Sequence, residues 1–302
     1  MALLPSHPTA APSLPTAHAT NAMKTLSRLA ALLSTLLVLS VSVAQDKAVD
    51  AGPYVPSPDS AVSAMLREAD VGPDDYLIDL GSGDGRIVRT AALLFGARGM
   101  GVEIQEPLVE LSNALAKKEG TADRVKFVRQ DLFRTDISPA TVVTMYLLPD
   151  TVSMLRDKLL TELRPGARVV SHDYGLPGWI PHKTLEMDLE EKVAISGVKR
   201  TIIHLYIVPA KVAGTWRATV PAALSQGAMR LELTQQVSSV AGLAQIDGRI
   251  IPLADLRLAG QDLSFRLAGR DAVFRGKVSG STIEGTVDSG GARAPWRATL
   301  GG

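Results

Sequence analysis

Asp79-Leu80-Gly81-Ser82-Gly83-Asp84-Gly85-Arg86 is the stretch that decides the fold. The run before it, Tyr76 to Leu80, is short, apolar and suited to a buried parallel strand, while Ile87, Ala91 and Leu94 after it mark a helix that stops at Gly96. A glycine-rich turn between a strand and a helix lets the backbone approach a ligand closely and points free amide groups at it.

Working outward, strands and helices continue to alternate. Strand Gly99 to Ile104 is followed by a helix from Pro107 to Lys118 with Leu108, Leu111 and Leu115 inward, then by strands Val125 to Arg129 and Thr141 to Leu147. A helix from about Thr151 to Leu163 ends at Pro165-Gly166, and Ala167 to Ser171 makes another strand. Thr184 to Leu189 and Arg200 to Val208 suit a closing antiparallel hairpin. Upstream, Ser57 is placed to N-cap a helix with Pro58 in its first turn and Val62, Met65, Leu66 and Ala69 on its apolar face. The pattern predicts a doubly wound, mostly parallel seven-stranded α/β sheet, Rossmann-like, over residues 53–210.

From Val212 the helical period disappears. Leu231-Glu232-Leu233 and Leu263-Ser264-Phe265-Arg266-Leu267 alternate with period two, and Asp247-Gly248 is a hairpin turn. Residues 211–302 therefore read as a small all-β, barrel-like domain. Trp-Arg-Ala-Thr occurs at Trp216 to Thr219 and again at Trp296 to Thr299, which suggests first and last strands paired to close a barrel.

The bulk numbers narrow the function classes. Of 302 residues, 46% are apolar and 21% charged, and 32 basic against 31 acidic side chains leave a net charge of +1. No global field draws the chain to nucleic acid, so no nucleic-acid partner is expected. The absence of cysteine excludes disulfides, thiolate metal sites and a cysteine nucleophile. Residues 1–44 read as a leader: Met23 offers a second start, Lys24 and Arg28 precede an apolar run of 15 residues from Leu29 to Val43, and Ser42-Val43-Ala44 resembles a cleavage site. A membrane-spanning helix needs about 20 residues. Met23 to Ala44 is thus expected to be a signal peptide directing secretion or periplasmic export, with residues 45–52 as linker; left uncleaved, it would anchor the chain at the inner membrane. Nothing in the sequence specifies an oligomeric state.

The glycine spacing separates two cofactor types. A dinucleotide fingerprint needs glycine at the first, third and sixth positions, and counting from Gly81 the sixth is Arg86. Gly81, Gly83 and Gly85 give a one-three-five spacing, the S-adenosylmethionine type. With Pro53-Tyr54-Val55-Pro56, Val102-Glu103-Ile104, Gln130-Asp131-Leu132-Phe133 and Tyr146-Leu147-Leu148-Pro149, the stretch Asp79 to Arg86 resembles the class I methyltransferases. In particular it resembles the small protein lysine methyltransferases related to the mitochondrial enzymes that modify ATP synthase subunit c and the adenine nucleotide translocase, and more distantly the non-SET histone lysine methyltransferases. The resemblance covers about residues 52–209 and leaves out the leader and the β domain.

The resemblance implies roles. Glu103, ending the second strand, would accept from both ribose hydroxyls, and Asp131 from the adenine amino group, with Leu132 and Phe133 against the ring. Asp79 would hold the cofactor's ammonium group, the loop residues Gly81, Ser82, Gly83 and Gly85 would carry its backbone approach, and Tyr54 and Pro56 would cover it. Because the sulfonium already activates the methyl group, the protein has to align a nucleophile and exclude water; no metal is required. An amine must arrive uncharged, and Tyr146, His172 and Asp173 are the candidates at the C-terminal edge of the sheet to orient it or accept its proton. Tyr146-Leu147-Leu148-Pro149 lacks the Asn-Pro-Pro-aromatic motif of base-modifying enzymes. N-methylation of a protein lysine leads; a small-molecule N- or O-methyl acceptor, or a secreted binding protein that kept the fold without activity, are the other readings.

Overall fold

A computed structural model describes residues 52–301 except 223 and 225–227. The leader read over 1–44, the start at Met23 and residues 45–51 of the linker lie outside the described residues. The first part of the fold opens with α1 (Asp59–Glu68), β1 (Tyr76–Leu80), α2 (Arg86–Phe95), β2 (Arg98–Glu103), α3 (Glu106–Lys118) and β3 (Val125–Arg129). It continues with β4 (Val142–Met145), α4 (Pro149–Glu162), β5 (Arg168–His172), β6 (Lys183–Asp188), α5 (Glu190–Ser196) and β7 (Arg200–Ile207). The seven strands lie in the order β3-β2-β1-β4-β5-β7-β6, with β7 antiparallel to both neighbours and the other pairings parallel.

Burial explains why the central strands read as unbroken apolar runs. β1, β4 and β5 are covered on both faces, one by a cluster that includes Leu77, Val88, Val142 and Val170, the other by Ile78, Leu80, Val143 and Val169. In this strand order the chain reverses direction across the sheet between β1 and β4, which opens a crevice at their carboxyl ends. The glycine loop sits there.

Three local expectations are corrected. Ser57 is not the N-cap of α1: that position is Pro58, and no side chain caps the helix. The Ser57 hydroxyl is instead drawn 115 residues away to His172. In α3 the inward face carries Val109, Ser112 and Ala116, while Leu111 is exposed. The helix is turned by about one position because Ser112 Oγ donates to Gly83 O at 3.0 Å, and a leucine could not approach the loop so closely. The predicted hairpin forms, but α5, a helix of 7 residues that the sequence reading did not assign, occupies its connection.

The β domain comprises β8 (Gly214–Thr219), β9 (Met229–Gln236), β10 (Ser239–Ile246), β11 (Arg249–Ala259), β12 (Asp262–Leu267), β13 (Ala272–Ser279), β14 (Thr282–Ser289) and β15 (Ala292–Leu300). They close an antiparallel barrel of eight strands, and the closing pair is β15 with β8, the two Trp-Arg-Ala-Thr strands. Trp216 and Trp296 both point into the core. The connector is pinned by one side chain: Gln235 Oε1 accepts from Val212 N at 2.8 Å, and Gln235 Nε2 donates to Ala210 O at 2.9 Å and Val237 O at 2.8 Å.

Inside the barrel, Gly276 and Gly285 face each other across β13 and β14, and Trp296 pairs with Gly285 from β15. The indole covers this bare patch: a Cβ at Gly276 would lie 2.9 Å from Trp296 Cζ2, and one at Gly285 would overlap the backbone of Arg275 and Gly276. Trp296 Nε1 donates to Arg275 O at 2.9 Å, and its ring meets Phe265 and Phe274 edge-on. Gly285→Val is therefore expected to destabilise the barrel by about 1–3 kcal/mol through overpacking. Denaturation followed by near-ultraviolet circular dichroism of the tryptophans measures it, and an unchanged midpoint contradicts this account of the core.

Candidate functional site

The bend after β1 is held against β2. Gly81 N and Ser82 N both donate to Val102 O at 2.9 Å, Gly83 N donates to Glu103 Oε2 at 3.0 Å, and Gly85 N donates to Ser82 O at 2.8 Å. The expectation of amides pointing freely at a ligand is thereby corrected: these four are consumed within the protein. What the bend offers is absence of side chains. Gly81 and Gly83 take φ of 76° and 53°, in the left-handed region. A Cβ on Gly81 would lie 2.7 Å from Leu147 Cδ2, and one on Gly83 would run into the Tyr54 ring.

A cavity of about 260 Å³ opens above this bend. Of the residues singled out from sequence, Tyr54, Pro56, Asp79, Gly81, Ser82, Gly83, Glu103, Asp131, Leu132 and Tyr146 line it together. Gly85 does not; it is the left-handed N-cap of α2, packed against Phe127 and Ser112. His172 and Asp173 do not line it either. They stand behind Tyr146, whose ring centroid is 4.0 Å from that of His172.

Glu103 reaches the cavity with most of its capacity taken. Its Oε1 accepts from Ile104 N at 2.8 Å and Gln105 N at 3.0 Å, and Oε2 accepts from Gly83 N. A carboxylate offers about four acceptor positions, so about one remains for a ligand hydroxyl without displacing an amide. Asp131 follows β3 in a tight turn, its Oδ1 accepting from Phe133 N at 2.8 Å. At the other end, Asp79 is fully buried, accepts from Thr144 Oγ1 at 2.7 Å, and is pushed up to about 7 chiefly by that burial, against the Thr144 hydrogen bond and with help from the Glu103 and Asp84 charges.

The segment 53–57 lies over the bend and is clamped by charge. Burial works against ionisation of Asp84, but the Arg86 guanidinium, donating at 3.0 Å and 2.8 Å, outweighs it and holds the carboxyl below its ordinary range. Arg86 also donates to Ser57 O at 2.8 Å, and burial together with the nearby Asp84 charge holds the Tyr54 phenol above its ordinary value. The sequence reading named none of Asp84, Arg86, Leu148, Tyr174 or Ser196 as site residues, although all line the cavity. Arg86 had a readable signal: it stands where a dinucleotide loop has glycine.

A buried polar cluster supports the Tyr146 end. Ser57 Oγ and His172 Nδ1 are hydrogen-bonded at 3.0 Å, while His172 Nε2 has no hydrogen-bond partner and lies 3.6 Å from Asp173 Oδ1. Burial, reinforced by the Lys192 charge and opposed by Asp173, pushes His172 down to about 4. Tyr146 is held above its ordinary value by burial and then by the charge of Asp173. It stays a neutral phenol.

A glycine bend at the switch point of a mostly parallel seven-stranded sheet with an antiparallel seventh strand, two carboxylates on its strand tips and an N-terminal cover define a Rossmann-like methyltransferase domain. Sequence comparison agrees: the profile of the ANTKMT methyltransferase domain matches residues 79–183. A protein-lysine N-methyltransferase of Saccharolobus islandicus is 41% identical over 157 residues, which cover 52% of this chain and 93% of that protein. The chain belongs to the same family of protein-lysine N-methyltransferases. The adenine nucleotide translocase lysine N-methyltransferase of Mus musculus is 40% identical over 120 residues, 40% of this chain and 51% of the mouse protein, so the chain spans about half of that relative's length. A structure of an RNA methyltransferase from Salinibacter ruber with S-adenosyl-L-homocysteine shares 44% identity, covering 52% of this chain and 96% of that one, at a TM-score of 0.48.

Asp79 and His172 couple folding to pH with opposite signs. Between its ordinary 3.8 and about 7, Asp79 keeps a proton in the folded state that the unfolded chain has released, so its contribution to stability falls as pH rises. His172 stays neutral in the fold between about 4 and its ordinary 6.5 while the unfolded imidazole is protonated, so its contribution rises with pH over that window. The two offset each other in the parent chain. From about pH 4.5 to 6.5, Asp79→Asn should gain, and His172→Gln lose, about 2 kcal/mol relative to the parent. Urea denaturation at the two ends of that interval measures both, and parallel pH profiles for all three proteins would contradict the assignment.

Proposed function

We propose that the chain binds S-adenosylmethionine above the Gly81–Gly83 bend and transfers its methyl group to a protein lysine. One observation carries this: the cavity opens beside two left-handed glycines packed against Leu147 and the Tyr54 ring, and it is lined by Asp79, Glu103 and Asp131. Glu103 would accept from the ribose, Asp131 and Leu132 would meet the adenine, and Asp79 would hold the ammonium group of the methionine end. Bound there, the cofactor supplies an electrophilic methyl group on a sulfonium.

The remaining work belongs to the chain's own residues. The lysine amine enters past Leu148 and Tyr174 toward Tyr146, whose hydroxyl, kept neutral by burial and the Asp173 charge, can accept from the amine's hydrogens. Orientation and exclusion of water are what such a site contributes to a displacement whose leaving group is already activated. The amine lone pair forms the new carbon–nitrogen bond as the carbon–sulfur bond breaks, and the proton lost from nitrogen passes to solvent. The protein acceptor is favoured by kinship with lysine methyltransferases over 93% of the archaeal relative.

Calorimetry with S-adenosylmethionine tests the site. Because a protonated Asp79 cannot pair with an ammonium, affinity should weaken about tenfold or more between about pH 8 and 5.5, and Asp79→Asn should flatten that profile. Gly83→Arg, which forces a side chain into the Tyr54 contact at a left-handed backbone position, should abolish binding. A labelled-methyl assay on soluble proteins, membrane proteins and RNA then identifies the acceptor. Label in lysine supports this reading; label only in RNA or in small molecules overturns it.

We further infer export from Met23 to Ala44, on the strength of its basic start, short apolar run and small terminal residues. Mass spectrometry of the mature protein should find Gln45 at the N-terminus, and a chain retaining the apolar run would refute cleavage.

A further inference from the structure

Lys192 is among the most buried charged residues described, with only 2% of its surface exposed. It lies on α5, and its ammonium has three donors and three acceptors: Asp173 Oδ1 at 2.8 Å, Asp173 Oδ2 at 2.6 Å, and the carbonyl of Arg200. Nothing is left over for water. A buried ion pair is a weak source of net stability, because desolvation offsets most of the attraction. Its distinctive effect is geometric.

That geometry points toward the cavity. Asp173 sits in the left-handed region at φ of 63°, a conformation a non-glycine residue keeps only where its surroundings hold it. Lys192 grips both carboxylate oxygens, and Ile202 N donates to Oδ1 at 3.1 Å, so the carboxylate is fixed from two elements. Asp173 Oδ1 also lies 3.6 Å from His172 Nε2, and the His172 ring packs against that of Tyr146, which lines the cavity, with centroids 4.0 Å apart. On its own helix, Lys192 is one turn before Ser196, whose Oγ donates to Lys192 O at 3.3 Å and which itself lines the cavity.

We propose that Lys192 is a positioning residue of the acceptor end of the site: through Asp173 and the His172 ring beside it, it fixes the place of Tyr146, and through α5 it places Ser196 in the cavity wall. This rests on the methyltransferase reading above. Lys192 never meets the substrate. It turns Asp173 into a fixed support behind the His172 ring, and so holds the Tyr146 face that the incoming amine meets.

A double-mutant cycle on the full chain tests this against a merely structural tie. Lys192→Met should lower kcat/KM for the protein acceptor about tenfold or more, with S-adenosylmethionine affinity unchanged within about twofold, and in a Tyr146→Phe background the same substitution should cost less than about twofold. Equal losses in both backgrounds overturn the proposal. Should Lys192→Met fail to fold, Lys192→Met/Asp173→Asn strands no buried carboxylate and carries the same cycle. A readout free of activity accompanies it: the His172 titration followed by nuclear magnetic resonance should move up by about half a pH unit or more when the neighbouring cation is removed. An unmoved midpoint refutes the linkage. A parent chain that neither binds the cofactor nor methylates lysine refutes the methyltransferase reading, whereas an active parent with an additive cycle refutes the role of Lys192 alone.

Discussion

One carbonyl, Val102 O, accepts two consecutive amides, Gly81 N and Ser82 N, and the site depends on that convergence. The double bond draws the bend against the tip of β2, where Glu103 receives the next amide at Gly83. The glycine loop and the carboxylate beside it are thus one hydrogen-bonded unit, set before any ligand arrives. Preorganisation of this kind spares a ligand the cost of ordering the loop. It also means that a side chain at the bend damages both partners at once, since the floor and the Tyr54 cover are in direct contact.

Much of this was legible in sequence because it is local. Strand, glycine bend and helix sit within about twenty residues, and the tips of β2 and β3 follow from the period of the pattern that precedes them. Even the long-range closure of the barrel could be read, because Trp-Arg-Ala-Thr is repeated in the two strands that pair. The failures share a cause. Ser57 carries a capping residue's signature, but its hydroxyl goes to a histidine 115 positions away. Likewise α3 turns by a position because Ser112 reaches the loop. Tertiary hydrogen bonds overrode local preference in both, and nothing nearby in the chain announces them. Lys192 is the strongest example, an ordinary lysine on a short helix that only the fold reveals as sealed.

The two ends of the cavity differ in electrical character. The Asp79 end keeps a carboxyl near the point of half-ionisation, so that a cationic group settles its charge. The Tyr146 end is held neutral at its surface by a charged pair one layer deeper, Asp173 with Lys192. Such a division suits a reaction between a cation and an amine that must shed its own charge. The layer behind the wall carries the ionic burden, and the wall itself presents hydroxyls and apolar edges.

The closed ring of the β domain has a consequence for how the chain is made. Within the first sheet, β1 pairs with β2 about 20 residues on and with β4 65 residues on. β8 has the longest wait of the described strands: it hydrogen-bonds to β9, but its other edge stays bare until β15, about 80 residues further on, has been synthesised. During that interval an incomplete cylinder exposes the two strand edges that its finished form conceals, the condition in which chains cross-pair with one another. The vulnerable period of this protein's biosynthesis therefore falls in its second half, after the machinery for binding has already formed.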